Sequence, residues 1–211
     1  MTKRFWESAK NGFIICGKNI YISVFALVAA LCVMLWDFSV YPPLILLAAL
    51  LHEAGHIAAL KGFGGKLERL YIYPFGADMR ADTSKLSYKK ETLLMLAGVI
   101  SNVLLFIVSL LLYHAFSSRQ LLFFGFCNAF FAVTNLIPIA SLDGGRALEA
   151  WLCAKLPLDK ALSVSAAVSR VSYAVISVLF TVMFFESGCN MSFVILLAYT
   201  ALGIFVSEKL I

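Results

Sequence analysis

Charge is scarce in this chain. Only 14% of its 211 residues are Asp, Glu, Lys or Arg, against about 25% in an ordinary soluble domain. That shortage excludes a chain kept in water by a charged surface. Histidine is scarcer still, with three residues, so a metal site must find ligands of other types or use nearly all of them. The five cysteines, Cys16, Cys32, Cys127, Cys153 and Cys189, are odd in number and form no Cys-x-x-Cys pair. They read as buried apolar thiols rather than as a disulfide or zinc-ribbon framework. No internal repeat or low-complexity tract stands out.

What is abundant is apolar residue. The hydrophobic share is 62% and the mean hydropathy +0.91. So much apolar surface cannot all hide in one core of this size. It needs a second apolar solvent, which a lipid bilayer supplies. No room is left for a separate soluble domain, so residues 1–211 are expected to form one integral-membrane domain. The net charge of +5 does not point to nucleic acid. The charges lie in short gaps between apolar runs, the pattern of membrane topology; a nucleic-acid reader needs a contiguous basic face.

A spanning helix needs about 20 mostly apolar residues. Six segments meet or approach that length: about Ile20–Trp36, Tyr41–Lys61, Thr92–Phe116, Leu121–Ile139, Ala161–Phe185 and Met191–Val206. The first follows a basic start with Lys3 and Arg4, but it is too long for the apolar region of a signal peptide, so it is expected to stay as a transmembrane helix. Of the 17 Lys and Arg, all but Arg119 and Arg170 fall on one side of this arrangement. The bias predicts a multi-pass protein of the cell membrane with both termini in the cytosol. Arg170, inside the fifth segment, suits either a polar partner or a snorkelling position.

Gly64 to Thr83 does not read as a spanning helix. Glycines flank it, Tyr, Ile and Phe favour strand, and Pro74 and Gly76 mark a turn or edge. The expected fold is therefore an all-α polytopic membrane protein, with six transmembrane helices and a small β-hairpin at the cytosolic membrane surface between the second and third.

The second apolar segment is interrupted by His52-Glu53-Ala54-Gly55-His56. On a helix, residues four apart share a face, so two imidazoles can grip one Zn²⁺. Glu53 then lies beside the metal, placed to take a proton from the water that zinc activates. Three ionisable groups at membrane depth are costly and seldom packing alone. A catalytic zinc wants three protein ligands and one open position. His114, at the far end of the third segment, lies on the wrong side and reads as an interfacial residue. The third ligand should be a carboxylate on the cytosolic side: Glu68, Asp78, Asp82, Glu91, Asp143, Glu149 or Asp159. Asp143 stands out, because Pro138 ends a helix before it and Gly144 and Gly145 permit a tight turn after it. Local chemistry equally allows Asp143 to be a plain helix N-cap.

His52-Glu53-x-x-His56, Asn135-x-x-Pro138 and Leu142-Asp143-Gly144 together resemble the site-2 protease family of intramembrane metalloproteases. The run Gly98-Val99-Ile100-Ser101-Asn102 is similar to that family's third-helix motif, where small residues favour close helix packing. The likeness extends over about residues 42–151, the expected catalytic core. It implies regulated intramembrane proteolysis, with His52, His56 and Asp143 as zinc ligands, Glu53 as the catalytic base and Asn135 holding the substrate backbone. The segment Tyr73-Pro74-Phe75-Gly76 is similar to the sporulation-protease subgroup. The PDZ and cystathionine-synthase-type domains of many members have no counterpart here, so regulation is expected from a membrane partner or the substrate.

The substrate that the resemblance implies is a transmembrane protein. Its helix must unwind to expose a peptide bond, and an unwound strand needs a sheet edge to pair with; the hairpin around Leu67–Phe75 is the expected edge. The rival reading is a zinc-binding transporter, since intramembrane His and Asp also mark ion pathways. Transporters often carry two repeated halves, and Glu53 has no evident purpose in a carrier.

Overall fold

The computed structural model describes residues 12–15, 19–73, 76–84 and 86–188, with isolated positions beyond. These form four strands and six helices: β1 (Phe13–Ile15), β2 (Ile20–Ser23), α1 (Val24–Trp36), α2 (Tyr41–Gly62), β3 (Lys66–Tyr73), β4 (Gly76–Asp82), α3 (Tyr88–Phe116), α4 (Arg119–Leu136), α5 (Asp143–Cys153) and α6 (Leu158–Glu186). Two compact units emerge, one drawn from Met1–Leu86 and Ser101–Ala129, the other from Ser87–Ile100 and Phe130–Ile211.

Three described helices, α2, α3 and α6, are long and apolar enough to cross a membrane. The expected first spanning helix is corrected. Ile20–Ser23 is strand, and α1 keeps only 13 residues, about 20 Å at 1.5 Å per residue. Ile20, Tyr21 and Ile22 are β-formers with a partner waiting: they pair in parallel with Leu70, Tyr71 and Ile72. The fourth expected span is α4, stopped at Leu136, two residues before the proline that cannot continue a helix. The expected sixth segment lies outside the described residues but for isolated positions.

In the first unit the expected hairpin is present as β3 and β4, closing from Tyr73 to Gly76. Pro74, at which the turn is expected, and Phe75 lie outside the described residues. The hairpin is half of a larger sheet of order β1-β2-β3-β4. Since β2 and β4 flank β3, the outer strand of the hairpin is β4 and not the expected stretch around Leu67–Phe75. Asn19 pins β2 to β3: its Nδ2 donates to Leu67 O at 2.8 Å, and its carbonyl accepts from Leu70 N at 2.8 Å. Tyr21 stacks on Tyr71 with ring centroids 5.0 Å apart, and Phe13 meets Tyr71 edge-on at 5.4 Å.

Helix α2 begins with prolines in its first turn, where the missing N–H costs nothing. It stops in a Schellman motif. Gly65 N bonds Leu60 O and Gly64 N bonds Lys61 O, with Gly64 at a φ of +81°. The chain then turns directly into β3. Helix α3 docks on α2 through polar bonds: Ser101 Oγ donates to Leu51 O at 3.1 Å.

In the second unit, the segment after α4 folds back through short turns, Ile139 N to Ile137 O and Leu142 N to Ile139 O, each 2.8 Å. Ala140 N donates to Ser169 Oγ at 2.9 Å, tying this segment to α6.

Candidate metal centre

His52 and His56 sit one turn apart on α2, and their side chains are buried, 6% and 5% exposed. Their Nε2 atoms face each other at 3.3 Å, with the ring planes crossed at 81°. Two nitrogens bound to one tetrahedral zinc at about 2.0–2.1 Å stand about 3.3–3.4 Å apart. The spacing of this pair is that of two ligands sharing one metal ion.

The other nitrogen of His52 supplies a second test of fit. His52 Nδ1 meets Asn102 Oδ1 in a short hydrogen bond. The Asn102 amide is oriented by its other end, whose Nδ2 donates to Asn128 Oδ1 at 2.7 Å. A carbonyl oxygen only accepts, so Nδ1 carries the proton and Nε2 carries the lone pair. Metal-ligating histidines are commonly held in this way, with the second nitrogen donating to an oxygen. Glu53, beside His52, is half-buried. His114 is exposed in the last turn of α3.

Asp143 and Asn135 belong to the second unit. Asp143 is not an N-cap: Leu142, with extended backbone, takes that place, and Asp143 is the first residue of α5. Gly144 and Gly145 do not make a turn, as expected from sequence, but are helical residues pressed against backbone. A Cβ on Gly144 would stand 2.2 Å from Leu136 O, and one on Gly145 2.1 Å from Ile139 O. Any side chain there would push the preceding segment away from the start of α5, where Asp143 sits half-buried. Asn135 is in the last turn of α4 and its Nδ2 donates to Phe131 O at 3.1 Å, a bond within its own helix. Its Oδ1 accepts none among the described residues. Arg170 is exposed on α6.

The structure thus brings His52 and His56 together in one unit and places Asn135 and Asp143 in the other. Sequence reasoning singled out Asn102 as a small-residue packing position and passed over Asn128. Both are 0% exposed. The signal that marks them is their polarity within apolar runs, since a carboxamide at membrane depth must be bonded.

Residues 24–142 match the Peptidase M50B-like family, and residues 114–179 match Peptidase family M50. Stage IV sporulation protein FB of Bacillus subtilis is 31% identical over 120 residues, 56% of this chain and 42% of that protein. A zinc metalloprotease of Methanocaldococcus jannaschii is 30% identical over 142 residues, 65% of this chain and 41% of that protein. The chain therefore spans about two fifths of the length of these curated relatives. Among solved structures, a site-2 protease from Methanocaldococcus jannaschii superposes with a TM-score of 0.63 over 93% of each chain at 23% identity. The fold is that of a site-2 protease.

Proposed function

The chain belongs to the Peptidase M50B-like family, and on that premise we propose that it is a zinc-dependent intramembrane endopeptidase. Its reaction is hydrolysis of peptide bonds in or beside the transmembrane segments of membrane-protein substrates. The observation that carries this reading is the pair of facing Nε2 atoms, 3.3 Å apart, on a helix apolar enough to span.

In this reading His52, His56 and Asp143 hold the metal. Two neutral imidazoles and one carboxylate suit a catalytic zinc, which keeps a fourth position open. Bound there, zinc supplies Lewis acidity and brings the pKa of water down toward about 7. Glu53 accepts a proton from the attacking water and delivers it to the leaving amine, so the carbonyl carbon gains hydroxyl and the nitrogen gains hydrogen. Asn135 Oδ1 accepts a substrate N–H, leaving its Nδ2 bond to Phe131 in place. The outer strand β4 offers main-chain partners to an unwound substrate segment.

The chain is a multi-pass membrane protein. The charge distribution supports residence in the cell membrane with cytosolic termini and an active site toward the cytosolic side. Helices α3 and α4 each contribute residues to both units, which supports one continuous membrane domain with its catalytic core over about residues 42–151. A regulatory membrane partner would act on this core from outside it.

The deciding experiment uses the purified protein in lipid with a membrane-anchored reporter substrate. Glu53→Gln should lower cleavage by about a hundredfold or more while bound zinc, measured by elemental analysis, stays at the wild-type level. Cleavage that survives Glu53→Gln overturns the mechanism.

A further inference from the structure

Asn128 has no part in the mechanism above, yet its side chain is fully buried, 0% exposed. A buried carboxamide is costly unless its bonds are made, and Asn128 makes them with a direction. Its Nδ2 donates to Phe124 O at 2.8 Å, one turn back along α4. That bond fixes which end of the amide is nitrogen, so its Oδ1 is the end presented to Asn102 Nδ2 at 2.7 Å. Asn102 Nδ2 also lies 3.5 Å from Ala48 O, a second acceptor that favours the same orientation. Its Oδ1 is then turned to His52 Nδ1. Close approach of α3 and α4 allows this chain of bonds: a Cβ on Gly125, one turn before Asn128, would lie 3.2 Å from Ser109 Cβ.

Each orientation is set by the one before it. Were the Asn102 amide reversed, an N–H would face His52 Nδ1, and the ring would answer with a lone pair there and a proton on Nε2. Nε2 is the nitrogen that faces His56 at 3.3 Å, and a protonated Nε2 cannot ligate. Asn102 alone has no preference between its two ends. The acceptor that Asn128 presents at 2.7 Å is the nearer of the two that create one, the other being Ala48 O at 3.5 Å.

We infer that Asn128 is a positioning residue for the metal centre, which acts through Asn102 to hold His52 in the tautomer that ligates through Nε2. This rests on the reading of His52 and His56 as metal ligands. A residue that merely joins α3 to α4 would act on stability and leave the His52 tautomer unchanged.

The test uses the full chain in detergent micelles and reads three quantities: Zn²⁺ affinity by chelator competition, the visible spectrum of the Co²⁺-substituted protein, and the ¹⁵N shifts of the His52 imidazole without metal. Asn128→Leu should weaken Zn²⁺ binding about tenfold, the range found for partners of metal ligands, and change the Co²⁺ spectrum and the tautomer signature. Asn128→Asp, which still presents an oxygen acceptor to Asn102 Nδ2, should bind within about twofold of wild type. The double variant Asn102→Leu/Asn128→Leu should bind no more weakly than Asn102→Leu alone, because the two act through one path. If Asn128→Leu does not fold, Asn128→Ser, too short to reach Asn102, carries the same comparison. Wild-type affinity in both Asn128→Leu and Asn128→Ser, or losses at 102 and 128 that multiply, would overturn the inference. Zinc bound equally by wild type and His52→Ala would instead overturn the ligand reading beneath it.

Discussion

The α-carbon of Gly144 is so close to the last residue of the preceding helix that a methyl group on it would stand 2.2 Å from the carbonyl oxygen of Leu136. The obstacle is backbone, which cannot rotate aside as a side chain can. Gly144→Ala should therefore shift the segment that leads into Asp143. Overpacking of this kind costs about 1–3 kcal/mol, read as a lower midpoint of thermal unfolding in detergent. Activity should fall further than stability does, because the proposed ligand moves with the backbone.

Metal removal separates structure from chemistry. Dialysis against a chelator should abolish cleavage, and stoichiometric Zn²⁺ should restore it. His56→Ala should resist restoration at the same zinc concentration, since two of three proposed ligands cannot hold the ion as tightly. Zinc content by atomic absorption, measured beside cleavage, checks both statements.

Cys153, at the end of α5, should be a slow nucleophile. Burial pushes its thiol pKa up, and the carboxylates of Glu149 and then Glu91 push it the same way. The thiolate is the reactive form, so alkylation at pH 8 should lag behind a free thiol and catch up only as pH rises past the elevated pKa. Glu149→Gln should speed the reaction at pH 8. Mass spectrometry of timed iodoacetamide quenches reads both rates.

Asn19 gives a test of the sheet. Asn19→Ala removes the side-chain bond to Leu67 O while leaving the main-chain bond to Leu70. A net loss of about 0.5–1.5 kcal/mol is expected. It should appear as faster amide exchange along β2, with amides of α6 unchanged.

Asn135→Leu tests substrate holding. The loss of an acceptor for substrate N–H should raise KM or lower kcat/KM for the membrane reporter. Bound zinc should be unaffected. A variant that loses zinc as well would assign Asn135 to the architecture of the centre instead.

The residues most legible in the sequence were those whose partners are close along the chain. His52 and His56 are four apart, so helical spacing alone puts them on one face, and Pro138 announces the end of α4 locally. The β3–β4 hairpin joins neighbours and carries its glycines with it. The first helix misled because Ile20 to Trp36 is an apolar run broken only by Ser23, in which strand and helix have the same appearance. What divides it at Ser23 is pairing with Leu70 to Ile72, a partner that no local pattern reveals. Gly144 and Gly145 were legible as required glycines, but the requirement is a neighbour's backbone and not their own turn. The Asn102 contact to His52 joins two helices across 50 positions, and only the rule that buried amides need partners points toward it.

The parallel pairing of β2 with β3 also has a topological consequence. Strands of one sheet share one face of the bilayer, so the stretch from Val24 to Gly65 begins and ends on the same side. Any crossings within that stretch are therefore even in number, whichever compartment the sheet occupies. In the order of synthesis, the sheet closes only after α1 and the histidine-bearing α2 have been laid down between its two middle strands.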